Sequence, residues 1–366
     1  MKILHTESSL GYGGQEMRIV KEAQGMQQLG HDVCLLCQQE AQIGELAKDH
    51  GLTVHTMPIG KKRLSAVFSL SSWLKEYPQD IINTHSSTDS WLVALATRIM
   101  SKRPAIIRTR HISAPITDNF SSRWLYTKSC DHIVTTGEKL RQTLIDINHY
   151  PADHITSVRT GIDLNYFHPA DKQQARDKLG IDKEAFVVGI VATLRSWKGH
   201  RYLIHAFKQF SDPSSILLIV GDGPQWEALH SLVSDLGLQS RVIFSGRQNN
   251  IAEWMNAMDI FCLPSYANEG VPQALMQSQA CGIPAITTLN GSINEAVIAG
   301  ETAIIVEPQD SNSILAALEA MYNDKDKLTA MSEAANLNAK KQFSINQMIN
   351  SMTTIFSAVI DRKCNK

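Results

Sequence analysis

The stretch IFCLPSYANEGVPQALMQSQACGIPAITT, residues 260–288, reads as one strand–helix–strand unit. IFCLPS is a short apolar run that breaks on proline and serine, as a buried strand does on entering a loop. Pro272 has the fixed φ and missing amide that suit the opening of a helix. Gln273 to Ala280 continue that helix, and Gly282 with Pro284 ends it. PAITT then resumes as a β-branched strand. Strand, helix and strand in this order belong to a parallel sheet.

The same unit repeats outward in both directions. FVVGIVATL, SILLIVGDG, RVIFSG and AIIVEP extend the series around IFCLPS and PAITT. A first series lies upstream: KILHT, DVCLLC, LTVHTM, DIINTH, AIIRTR and HIVTTG, with helices in the gaps such as Glu16 to Leu29 and Trp91 to Ser101. Each series is a nearly complete doubly wound sheet. Between them RTGIDLNYFHPADKQQ, residues 159–174, is rich in turn formers and has neither period, so it reads as the interdomain linker. From about Ser311 the chain is mostly helical and polar, apart from a turn near Asn323 and Asp324. The expected division is an N-terminal domain over 1–165, a C-terminal domain over 166–345, and a final helix over 346–366 packing back on the first domain.

A chain of 366 residues with 43% apolar and 19% charged residues is globular and long enough for two cores. A net charge of −1 argues against a nucleic-acid partner. The charge is uneven, however. Arg98, Lys102, Arg103, Arg108, Arg110, Arg123 and Lys128 face a single acid, Asp118, within one short stretch. That pattern suits either a solvated surface or an acidic partner such as an anionic membrane face. No apolar run is long enough to span a bilayer, and the N-terminal MKILHTESS is too short for a signal-peptide core, so a cytoplasmic protein is expected. Cys34 and Cys37 form a C-x-x-C, but an odd separation on a strand sends the two thiols to opposite faces. With no second pair to complete a zinc site, the six cysteines read as reduced and buried.

Chemistry is expected in the loops after the strands, where doubly wound sheets bind ligands. SSLGYGGQE follows the first strand; Gly11, Gly13 and Gly14 permit unusual backbone angles, and a helix start at Gln15 offers bare amides to an anion. The spacing is not G-x-G-x-x-G, which disfavours a dinucleotide cofactor. Arg195 and Lys198 follow GIVATL, where cations can neutralise a leaving diphosphate. Gly221, Asp222, Gly223 and Pro224 make a structural turn, and Gly246 and Arg247 end another strand. Glu269 and Gly270 lie in the loop before Pro272, with Gln277 about one turn into the helix, so that an acid and an amide flank a helix N-terminus.

G-G-x-E after the first strand, K-G early in the second series, G-D-G-P, then P-S-x-x-x-E-G-x-P-x-x-L with C-G-x-P downstream resemble the family-4 retaining glycosyltransferases in order and spacing over most of the chain. The resemblance implies the GT-B fold: two Rossmann-like, doubly wound parallel-sheet α/β domains facing a central cleft. It implies that Glu269 contacts the donor sugar and that Gln277 stands where the family has a ribose-binding glutamate. A glutamine carbonyl still accepts from a ribose hydroxyl. Lys198 matches the family's phosphate-binding lysine. Its partner arginine would fall at Thr193, and Arg195 is its replacement. His111 matches a histidine near the anomeric centre, and His85, Arg108 and Arg110 fall on the acceptor side. Gly13, Gly14, Gly246, Arg247, Gly270, Val271 and Pro272 complete the expected nucleotide-sugar site, with His111, Glu269 and Lys198 catalytic.

The implied reaction is a metal-independent, retaining transfer from a nucleotide diphosphate sugar to a glycan or lipid-linked acceptor, in bacterial envelope polysaccharide synthesis, with peripheral contact at the inner membrane face. No cofactor and no Asp-x-Asp metal site are expected. Gln277 and Thr193 support a rival, a nucleotide-sugar-binding protein without transfer. A nucleotide-sugar epimerase on the same scaffold is a second rival, and a dehydrogenase fits least.

Overall fold

The computed structural model describes residues 1–11, 13–112, 116–267 and 269–364. The chain divides into two units: Met1–Gly161 together with the segment from Ile345, and Ile162–Ser344.

The first unit alternates β1 (Lys2–Glu7), α1 (Gly14–Gln28), β2 (Asp32–Cys37), α2 (Gln42–Asp49), β3 (Thr53–Thr56), α3 (Leu64–Glu76), β4 (Ile81–Thr84), α4 (Ser87–Arg98), β5 (Ala105–Arg110), α5 (Phe120–Thr127), β6 (His132–Thr135), α6 (Glu138–Asp146) and β7 (Ile155–Ser157). The strands pair in parallel in the order β3-β2-β1-β4-β5-β6-β7. Helices cover both faces, which is why the strands are near-continuous apolar runs rather than alternating ones. Ile3 packs into the core on one face and its neighbour Leu4 into the core on the other. Cys37 and Cys34 divide in the same way, and burial lifts both thiols to about 11. The C-x-x-C is two inert core residues. β7 has only three residues, too few to show a period, and sequence reading passed over it.

In the second unit the order is α7 (Lys172–Leu179), β8 (Val187–Val191), α8 (His200–Gln209), β9 (Ile216–Val220), α9 (Trp226–Asp235), β10 (Val242–Gly246), α10 (Ile251–Asn256), β11 (Ile260–Leu263), α11 (Gln273–Ala280), β12 (Ala285–Thr287), β13 (Ala303–Ile305), α12 (Ser311–Tyr322) and α13 (Lys325–Gln342). Its parallel sheet runs β10-β9-β8-β11-β12-β13. The segment expected to be an unstructured linker is partly helical. Asp171 caps α7 by accepting from the amides of Gln173 and Gln174, so the turn-forming residues end at that cap.

The last helix, α14 (Ile345–Cys364), returns to the first unit. It buries Met348, Ile349, Met352, Phe356 and Val359 in the core that α1 also faces. α1 and α14 meet at Gly25, where a Cβ would stand 1.9 Å from Ile349 Cδ1. Any larger residue there would have to push the Ile349 side chain aside.

Candidate functional site

Each sheet has one point where its strand order reverses, and loops leaving the carboxyl ends on either side of that point form the natural crevice for a ligand. In the second unit the reversal falls between β8 and β11. The loop after β8 carries Lys198 and the loop after β11 carries Glu269. Their side chains meet, Lys198 Nζ lying 2.7 Å from Glu269 Oε1, and both are largely shielded from solvent. Ser265 Oγ donates to the same Oε1 at 2.8 Å.

Backbone contacts hold these two loops in register. The Tyr266 amide donates to the Trp197 carbonyl at 2.9 Å. Gly199 takes φ +81°, and a Cβ there would lie 2.2 Å from the Pro264 carbonyl oxygen, so the glycine of WKGH is imposed by the neighbouring loop. Beneath Ser265 the β12 end is tied in by Asn290, whose side-chain amide donates to the Ser265 carbonyl at 2.9 Å. The GDGP turn is structural, since a Cβ on Gly221 would stand 2.1 Å from the Ala192 carbonyl.

The remaining expected donor residues are more dispersed. Arg195 is exposed, and its guanidinium lies over the Trp197 ring, 5.1 Å from the centroid. Gly246 takes φ +66° where β10 loses register with β9, and Arg247 beyond it is exposed. Pro272 is buried at the α11 N-cap, Gly270 is half-buried, and Val271 packs on the core. Gln277 is half-buried on α11, and among the described residues its side chain takes no hydrogen-bond partner.

In the first unit the reversal lies between β1 and β4. His111, one residue past β5, is half-buried, and its Nε2 lies 2.9 Å from His85 Nδ1. His85 Nε2 in turn lies 3.0 Å from His5 Nδ1. His85 is thus buried with both nitrogens engaged, rather than offered to an acceptor. Burial holds His85 well below its ordinary pKa, reinforced by His111, His5 and the Arg18 guanidinium. His111 is lowered by burial and Arg18, and His5 falls to about 3 through burial alone. Arg18 itself is buried, donating to the Val158 carbonyl at 2.8 Å and lying 3.6 Å from Glu22. Burial raises Glu22 to about 7 despite Arg18.

The Gly13–Gly14 loop does not use glycine for unusual angles. Gly13 is extended at φ −174°, which any residue adopts, and Gly14 already belongs to α1. What organises this loop is Glu7, which sequence reading missed. Its carboxylate accepts from the Ser9 amide at 2.7 Å, from Gln15 at 2.5 Å and from the Ser86 hydroxyl. Asp89, also missed, accepts from Thr6 at 2.7 Å and from the His85 amide at 3.0 Å, while burial and then Glu7 raise it to about 7. The available signal was an acid closing β1 and a serine capping α4, neither of which is distinctive. The basic stretch is not a single surface. Arg108 is buried over the Tyr126 ring at 4.4 Å, Arg110 donates to the Tyr126 hydroxyl at 3.0 Å, and Arg123 pairs with Asp118 at 3.1 Å. Arg108 Nε and Nη1 are buried with no hydrogen-bond partner among the described residues, so the Tyr126 ring face is what offsets its charge.

Two doubly wound parallel sheets in one chain, each with charged groups at its order reversal, define the GT-B class of fold, and solved structures agree. A glycosyltransferase from Rickettsia africae superposes with a TM-score of 0.89 at 20% identity over 98% of both chains. Anabaena HepE in complex with UDP superposes with a TM-score of 0.87 at 21% identity over 98% of this chain and all of that one. The model for glycosyl transferases group 1 matches residues 171–338, and that for glycosyltransferase family 4 matches residues 12–166. The chain belongs to this family of glycosyltransferases. It is 26% identical, over its whole length and 98% of the relative, to the Escherichia coli UDP-Gal:alpha-D-GlcNAc-diphosphoundecaprenol alpha-1,3-galactosyltransferase. No helix among the described residues is long and apolar enough to cross a membrane.

Proposed function

We propose that this glycosyltransferase moves a sugar from a nucleotide diphosphate sugar to a lipid-linked saccharide, retaining the anomeric configuration and using no metal ion. The observation that carries the reading is the 2.7 Å contact of Lys198 with Glu269 across the β8/β11 reversal. Lys198 supplies a fixed positive charge for the departing diphosphate, worth most where water is excluded. Glu269 turns Oε1 to Lys198 and Ser265, so Oε2 is the oxygen for a sugar hydroxyl. Arg195 adds charge to the diphosphate, Gln277 accepts from the ribose, and His111 is the catalytic histidine of the first unit.

In the proposed reaction the bond between the anomeric carbon and the phosphate oxygen breaks as a bond to the acceptor oxygen forms on the same face. The acceptor proton passes to the leaving phosphate. The acceptor named for the E. coli relative supports a lipid diphosphate saccharide, and hence a place in envelope polysaccharide synthesis with peripheral membrane contact. The test is a panel of nucleotide sugars in thermal shift, where a ligand at about 100 times its dissociation constant adds about 2.7 kcal/mol. Transfer from the stabilising donor to lipid-linked N-acetylglucosamine diphosphate is then followed by mass spectrometry. A flat panel opposes the reading, and stabilisation without product under any acceptor leaves a binding protein in its place.

A further inference from the structure

His5, His85 and His111 stand end to end. The His5 and His85 planes differ by 7°, and their centroids are 5.3 Å apart while the facing nitrogens are 3.0 Å apart, so the rings abut edge to edge. His111 continues the line with its centroid 5.2 Å from that of His85. The nitrogens point at one another in series and not at a common centre, as a metal would require.

Burial keeps all three rings neutral, and the surrounding charged groups are Arg18 and Glu22 on α1, Glu7 ending β1 and Asp89 on α4. Three neutral imidazoles hold three N–H protons. Two of them occupy the two shared hydrogen bonds, which leaves the third for one end of the line. It rests either on His5 Nε2 or on His111 Nδ1. His5 Nε2 is buried with no hydrogen-bond partner. An orphaned buried N–H is costly and rare, whereas His111 is half-buried and can reach water or a ligand. The partner of one ring nitrogen fixes the role of the other.

We propose that His5 and His85 are positioning residues that hold His111 in the Nδ1–H tautomer, so that the first unit presents its ligand with a hydrogen-bond donor for a sugar or phosphate oxygen and not with a base. Directionality runs from His5 Nδ1–H to His85 Nε2, and from His85 Nδ1–H to His111 Nε2. The donor role rests on His111 acting in the proposed transfer, whereas the tautomer does not.

The test is nitrogen-15 NMR of histidine-labelled protein at neutral pH, with His111 assigned through the signal lost in His111→Gln. The expected result is a protonated Nδ1 and a bare Nε2 on His111, and a proton on Nε2 would overturn the inference. In His85→Phe the His111 proton is expected to move to Nε2 or to average between the nitrogens. An unchanged Nδ1–H in that variant, folded by circular dichroism, would overturn the relay, and should it fail to fold the parental spectrum decides. In transfer assays His111→Asn, whose amide falls near Nδ1, should exceed His111→Gln in kcat/KM by about five- to tenfold, the share of one hydrogen bond. The reverse order would overturn the donor role. Absence of transfer by the parent protein would instead fall on the proposed function, with the NMR result still deciding the tautomer.

Discussion

Gly291 lies directly against the backbone of Glu269: a Cβ on it would stand 2.1 Å from the Glu269 carbonyl oxygen and 2.4 Å from its amide nitrogen. The φ of +69° at Gly291 adds a second reason for glycine, and the Ser292 amide next to it donates to the same carbonyl at 2.9 Å. The carboxylate proposed to grip the donor sugar therefore rests on a floor that admits no side chain. Gly291→Ala should cost roughly 2–4 kcal/mol through clash and backbone strain. It should also raise KM for the donor more than it changes the fold. Thermal melts and donor titrations check this, and a variant with parental values for both would show that the loop yields freely.

Removing either member of the Lys198–Glu269 pair should leave a folded but impaired enzyme. Lys198→Ala is expected to lower kcat by about 10²–10³, the usual cost of losing one preorganised charge at a leaving group. Glu269→Gln keeps the size of the side chain and loses the charge-assisted bond to Lys198, so it should act chiefly on the sugar-bearing ligand. Calorimetry with nucleoside diphosphate and with the complete donor separates the two, because Glu269→Gln should spare binding of the former.

Gln277 is half-buried on α11. Gln277→Glu replaces a neutral acceptor with a charged one, and the difference between those hydrogen-bond classes is about 1 kcal/mol. Affinity for the nucleoside diphosphate should rise about fivefold. Equal or weaker binding, measured by calorimetry, would place the ribose elsewhere.

Stability should fall as the medium is acidified. His5 is lowered to about 3, His132 to about 4 and His200 to about 3, each mainly by burial, and His85 and His111 are lowered as well. Between about pH 6.5 and these values the unfolded chain binds more protons than the folded one, so stability drops with falling pH. Glu22 and Asp89, raised to about 7, act in the opposite sense between about pH 4 and 7, because the folded state then holds their protons. His31 and His154 are lowered as well and Glu16 is raised, so seven histidines outweigh three carboxyls. The melting temperature should be lower at pH 5.5 than at pH 7.5, and His5→Phe should lessen the drop. Equal melting at both pH values would remove the basis for neutral buried imidazoles.

The fold was largely legible because a two-faced parallel sheet writes itself as apolar runs such as ILLIV and IFCL, separated by amphipathic helices. α11 was readable to its bounds, since Pro272 and Gly282 punctuate both ends. β7 was not, since three residues carry no period. At the site, the Lys198–Glu269 pair was reachable through spacing that resembles a known family. The His5–His85 link was not, because those residues lie 80 positions apart and no local pattern joins them. Glu7 was missed, and the burial of Arg108 was not foreseen, for the same reason: a charged residue in an apolar strand shows its burial only once its partners are placed.

The return of α14 to the first unit makes Ile162–Ser344 an insertion within that unit, entered and left through neighbouring backbone. Ile162 bridges to Ser344, and a Cβ on Gly161 would stand 2.5 Å from Ile345 Cα. The second unit is thus a cassette with its entry and exit side by side. Joining residue 161 to 345 needs no spanning segment, so either half can be exchanged for that of a relative by recombination at two adjacent points, leaving the histidine line on one side and the lysine–glutamate pair on the other intact.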